Sequence, residues 1–153
     1  MANSYTQVLI QYVFTVKGRD FFIPEKYFPD LNSYIAGIIK KRKGKSLAIS
    51  NVPDHMHVFM QFPKEYTISK MIQEIKANSS KYINDNQWFK AKFQWQSGYG
   101  AFSYSYSQMN NVIQYILNQK EHHRHVSFKE EYFQYLKLFN IEYDDHYVFE
   151  FYE

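Results

Sequence analysis

The segment Pro53-Asp54-His55-Met56-His57-Val58 places two imidazoles two residues apart. On a strand that spacing points both rings to one face and turns Met56 and Val58 to the other. Paired imidazoles are natural metal ligands. Two half-exposed histidines on a sheet surface have the same spacing, so the pattern alone leaves both readings open. A second set falls within residues 108–121, where Asn111, Tyr115, Asn118, Gln119 and His122 share one helical face opposite Val112, Ile113, Ile116 and Leu117. Tyr115 then stands one turn from the amide of Gln119. With fifteen tyrosines in the chain, position alone does not single this one out. His122-His123-Arg124-His125 ends the same helix, where imidazolium groups meet the helix dipole favourably. Helix-end or phosphate contact is favoured over metal ligation there. Lys40, Lys41, Arg42, Lys43 and Lys45 form a basic run that reads as a solvated helix end, or as a phosphate contact if it shares a face with the other features.

The elements that must carry these residues follow from periodicity. Residues 5–17 alternate through Val8, Ile10, Tyr12, Phe14 and Val16, as a strand does. Pro29 suits the first turn of a helix that buries Leu31, Ile35, Ile38 and Ile39 and stops before Gly44. Ser46–Val52 and His55–Phe62 read as two strands joined at Pro53. Thr67 or Ser69 caps a second helix with Ile68, Met71, Ile72, Ile75, Ser79 and Tyr82 on its inner stripe. Lys76 and Lys81 lie on its outer side. Phe93–Ser105 reads as further strand, broken by Gly98 and Gly100. Ser107 opens a helix to about Glu121, and Ser127 opens another to about Phe139. Strand, helix, strand, strand, helix, strand is the ferredoxin-like, RRM-like plan: an α+β antiparallel sheet with helices on one face, here with appended C-terminal helices. One domain spans 1–153, with a core at about 5–105, a tyrosine-bearing helix at about 107–121, and a C-terminal helix and acidic tail over 127–153.

A chain of 153 residues, 45% hydrophobic and 22% charged, has the composition of a folded globular domain and not of a disordered or low-complexity one. It has no cysteine, which excludes disulfides, cysteine-based zinc sites and a thiol nucleophile, and is compatible with a reducing cytoplasm. No apolar run reaches membrane-spanning length and no leader pattern opens the chain. The net charge of +3 hides a split. All eighteen basic residues lie in 1–140 with ten acids, leaving that body eight positive, while Glu142, Asp144, Asp145, Glu150 and Glu153 lie in the last thirteen residues. A basic body that is 20% aromatic fits an anionic, stackable partner such as nucleic acid. A lysine-rich solvated surface around a tyrosine-rich core fits equally well.

Taken together, six blocks in register resemble the HUH single-tyrosine transposases of small bacterial insertion sequences, the insertion sequence two-hundred and six-hundred-and-five group. They are Phe14-Thr15-Val16-Lys17-Gly18-Arg19, Pro53-Asp54-His55-Met56-His57-Val58, Ile75-Lys76-Ala77-Asn78-Ser79-Ser80-Lys81, Trp95-Gln96-Ser97-Gly98-Tyr99-Gly100-Ala101-Phe102-Ser103, Tyr115-Ile116-Leu117-Asn118-Gln119-Lys120-Glu121-His122-His123 and Ser127-Phe128-Lys129-Glu130-Glu131-Tyr132. The resemblance implies that Tyr115 is the nucleophile and that His55, His57 and Gln119 hold a divalent ion. Neutral ligands leave Mg²⁺ or Mn²⁺ its charge to polarise a phosphate. Asp54, pointing away on an ideal strand, is expected outside the ligand set. The implied reaction is cleavage and strand transfer of single-stranded DNA through a 5′-phosphotyrosine, which excises and inserts an insertion sequence and needs no ATP. It further implies DNA hairpins at element ends as partners, a homodimer whose tyrosine helix completes either its own site or, in trans, the partner's, a choice the sequence leaves open, and work in the cytoplasm on nucleoid DNA. Lys40–Lys45, Lys76, Lys81 and Arg124 are the candidate DNA contacts. Two alternatives share much of this pattern: a non-catalytic single-strand binder, and a domesticated relative that processes chromosomal repeat hairpins.

Overall fold

Strand β1 (Leu9–Thr15) is buried along its whole length, because a layer of helices packs on each face of the sheet it centres. The computed structural model describes residues 3–152. Glu153, the last acid of the tail, lies outside them. After β1 come α1 (Phe28–Lys41), β2 (Lys45–Val52), β3 (His55–Gln61), α2 (Ile68–Asp85) and β4 (Gly100–Tyr104). The sheet runs β2-β3-β1-β4 with every neighbouring pair antiparallel, which is the expected ferredoxin-like order. Pro29 stands in the first turn of α1, and the Thr67 hydroxyl accepts from the Lys70 amide to start α2.

The period-2 rule sorts β1 and β3 cleanly. Ile10, Tyr12, Phe14, Met56, Val58 and Met60 face α1 and α2 and join Leu31, Ile35, Ile39, Met71 and Ile75 in the larger core. The opposite face carries Leu9, Val13, Phe59 and Phe102 together with Gln11, Thr15, His55 and His57, all four buried. It is covered by α3 (Met109–Leu117), α4 (Gln119–His122) and α5 (Phe128–Leu138). The appended helices are thus the second layer of the fold. Ile116 of α3 is fully buried against Leu9, Ala48 and Phe59, and α5 packs Phe128, Tyr132, Tyr135 and Leu136 onto Val13 and Phe102.

Two local expectations are adjusted. The strand expected over 93–105 is two pieces. Gln94–Gln96 bonds to the end of β1, then Gly98 turns with a positive φ of 86°, and β4 proper begins at Gly100. The helix expected over 107–121 starts through a turn capped by Ser105 and kinks at Asn118 (φ −99°, ψ 20°), which separates α3 from α4. The acidic tail, to which the sequence assigns no role, packs back on the fold. Val148, Phe149 and Phe151 pack on the α5 cluster, and Glu150 exchanges two backbone bonds with the Gln96 side chain at 2.8 and 2.9 Å. Its described acids stay exposed.

Candidate active site

The turn at Pro53-Asp54 starts β3 so that His55 and His57 sit on the face under α3–α5, each about 1% exposed. Both rings are held through Nδ1. Asp54 Oδ1 lies 2.8 Å from His55 Nδ1, and Gln11 Oε1 lies 2.6 Å from His57 Nδ1. Gln11 donates its own amide to the Tyr104 hydroxyl at 2.8 Å, so its oxygen faces His57 and the proton there belongs to Nδ1. Asp54 therefore does not point away as an ideal strand would have it. It belongs to the turn, reaches back, and orients His55 from behind while staying out of the ligand set.

Both Nε2 atoms then converge on Glu131 of α5, which is 2% exposed. Glu131 Oε1 lies 3.1 Å from His57 Nε2, 3.7 Å from His55 Nε2 and 3.3 Å from His123 Nε2. Its other oxygen, Oε2, accepts bonds from Tyr115 OH and from Gln119 Nε2, the latter at 3.2 Å. His122 Nε2 lies 3.0 Å from the same phenol. His123 is fixed in turn, with Nδ1 2.8 Å from the Val126 carbonyl and Nε2 2.9 Å from Gln119 Oε1. The ring of His55 stacks on Phe128 at 3.7 Å, so α5 fixes the imidazole as well as facing it.

The electrostatics of this cluster suit a cation. His55 Nε2 is buried and has no hydrogen-bond partner, and it faces a carboxylate oxygen alongside a second imidazole nitrogen. Ligand atoms of His55, His57, His123 and Glu131 all lie within 4.8 Å of one another, a donor set that fits a divalent metal. Burial works against ionising Glu131, yet the surrounding imidazoles outweigh it and hold its carboxyl far below the usual range. Burial likewise opposes charge on His55, but Asp54 and Glu131 outweigh it and raise its pKa. At His57 burial prevails and the pKa falls. The Tyr115 phenol is pushed well above its ordinary value by burial and then by the negative charge of Glu131. A cation among these groups would offset that charge and ease ionisation of the phenol.

The structure thus brings together Tyr115, His55, His57 and Gln119. It adds Glu131 and Gln11, which sequence reasoning missed, and His123, which that reasoning read as a helix-end or phosphate contact. A glutamate in the Phe128, Tyr132, Tyr135 stripe and a glutamine inside a strand this apolar were the available signals. The basic candidates separate. Lys41, Arg42, Lys43 and Lys45 line a cleft of about 720 Å³ with Lys64 and Tyr66, beside Gln61 at the end of β3 far from His55. Within it Arg42 is ion-paired with Glu74, while Lys40 is exposed on the last turn of α1. Lys76 donates to the Gln96 and Gly98 carbonyls, and burial lowers its pKa to about 8. Lys81 pairs with Asp85 at 2.6 Å and Arg124 with Glu121 at 3.3 Å.

Solved structures share this build. A protein assigned as a transposase, from Deinococcus radiodurans, aligns at a TM-score of 0.59 and 16% identity over 78% of this chain and 96% of its own. The REP-associated tyrosine transposase bound to a REP hairpin aligns at 0.60 and 17% identity over 82% of this chain and 74% of its own. No curated protein matches the sequence. The fold is therefore shared with these two proteins, an α+β domain on a four-stranded antiparallel sheet. The family model "Transposase IS200 like" matches residues 4–119, and the chain belongs to that family of DNA transposases. No helix among the described residues is long and apolar enough to cross a membrane.

Proposed function

We propose that the chain cuts and rejoins single-stranded DNA with Tyr115 as nucleophile and a divalent ion, Mg²⁺ or Mn²⁺, held by His55, His57 and Gln119, with Glu131 and His123 within reach of the same ion. One observation carries this reading: three separate segments deliver two imidazoles, an amide and a phenol to the two oxygens of one buried carboxylate on a fourth. A bound divalent ion supplies polarisation of the scissile phosphate and relief of the Glu131 charge. Glu131 Oε2 orients the phenol by accepting from its one O–H, and His122 Nε2, 3.0 Å from the phenol oxygen, takes that proton when the O–H turns from Glu131 toward it. The Tyr115 oxygen bonds to phosphorus, the bond from phosphorus to the 3′-oxygen breaks, and that oxygen leaves as a 3′-OH once protonated. The 5′-phosphotyrosine keeps the phosphodiester's energy, so another 3′-OH can reverse the step. DNA hairpins on nucleoid DNA are the proposed partners. A non-catalytic binder would need none of this convergence.

The test is incubation of single-stranded hairpin DNA with Mg²⁺ or Mn²⁺ followed by denaturation. A covalent protein–DNA adduct should form with wild type and vanish with Tyr115→Phe. An adduct of equal yield from Tyr115→Phe removes Tyr115 as nucleophile. Because α3 packs on the sheet of its own chain through Ile116, we read the site as completed in cis. Mixing Tyr115→Phe with His57→Ala chains should then leave the mixture inactive, whereas recovery would show a homodimer exchanging the tyrosine helix.

A further inference from the structure

Between α3 and α5 lies a cavity of about 340 Å³ whose lining includes Tyr115 and Glu131. Its walls are ring and aliphatic carbon, from Tyr104, Tyr135, Val112 and Leu138. Asn111 and Gln134 add amides to the lining. Both are exposed, and neither bonds to the rest of the protein. The single acidic group of the lining is Glu131 itself, whose oxygens already meet His57, Tyr115 and Gln119.

That chemistry selects its occupant. The lining offers a phosphate no lysine or arginine, while the separate cleft of Lys41, Lys43, Lys45 and Lys64 offers four basic side chains. A neutral, flat heterocycle meets apolar walls and unpartnered amides that can donate to and accept from its edge. The volume is at the lower end of small-ligand cavities, which suits one ring system and not a stretch of chain. Resting on the reading of Tyr115 as nucleophile, we infer that this cavity receives the nucleobase next to the scissile phosphate and so sets which phosphodiester reaches the phenol. The base packs against Tyr104 and Tyr135 with its edge toward Asn111 and Gln134. Seating it fixes the sugar–phosphate beside Tyr115, which makes the cavity a determinant of cleavage position and base preference.

The experiment uses the full chain and short mixed-sequence single strands carrying iodouracil, with photocrosslinks mapped by peptide mass spectrometry. Crosslinks should fall in the peptides of Tyr104 or Tyr135. Gln134→Trp, which fills the cavity from an exposed position, should abolish them and weaken strand binding by about ten-fold, the loss of one stacked base. Leu138→Ser, at a side chain already 77% exposed, should weaken them without disturbing the fold. Crosslinks confined to the basic cleft overturn the inference. So does a Gln134→Trp chain that binds DNA normally but loses a dimer seen by light scattering, which assigns this face to a second copy. The readout needs no cleavage, and Tyr115→Phe should give the same crosslinks, so failure of the nucleophile assignment and failure of the base subsite are told apart.

Discussion

Gln11 shows how much of the cluster rests on side chains outside the candidate ligand set. Its oxygen fixes the proton on His57 Nδ1 and also accepts from Tyr135 OH at 3.2 Å, while its amide donates to Tyr104. Gln11→Leu keeps the bulk and removes all three bonds. It should lower Mn²⁺ affinity about 10- to 100-fold by calorimetry, the usual cost of losing a partner behind a ligating histidine; unchanged affinity would make the bond incidental. The histidine pair, the tyrosine and its neighbouring glutamine were legible because they lie close in sequence at strand or helix spacing. Gln11 and Glu131 were not, since each meets His57 across 46 and 74 residues. No local period encodes such a meeting. His123 was visible but was assigned to the helix end, because only the docking of α4 over β3 turns its Nε2 toward Glu131.

At the scale of elements, the position of α5 matters most. Gly100 opens β4 where a Cβ would meet Tyr132 Oη at 2.8 Å and the Phe102 ring at 2.9 Å, so the helix lies directly on backbone. Gly100→Ala should push Tyr132, and with it Glu131, off the sheet. The expected result is a loss of about 1–3 kcal/mol in denaturant titrations, the range for overpacking, with weakened metal binding. A wild-type stability would mean that α5 shifts at no cost. The strands and helices were largely readable from hydrophobic period, as were the caps at Thr67 and Ser127. Layer assignment was not. An amphipathic helix shows that it has a buried side, and only the sheet's second face, with Val13, Phe59 and Phe102 uncovered by α1 and α2, says what buries it.

Across the whole molecule, the tyrosine content has a definite use: several phenols are core. Burial raises Tyr104 and Tyr132 to about 12 from an ordinary 10. A pKa raised on folding means that the native state favours the protonated form. Stability from these groups is therefore complete below pH 10 and lost as pH climbs from 10 through 12. Denaturant midpoints should hold between neutrality and pH 10 and then fall, with tyrosinate absorbance from these rings appearing together with unfolding. Absorbance that rises fully while far-UV circular dichroism stays native would contradict the burial. The chain order of the site has a consequence of another kind. All four strands are complete at Tyr104, but the carboxylate that joins histidines to phenol arrives 74 residues after His57. During synthesis the histidines and the tyrosine exist before anything couples them, so a nascent or prematurely terminated chain can carry the histidine pair and the tyrosine helix and still lack the assembled cluster.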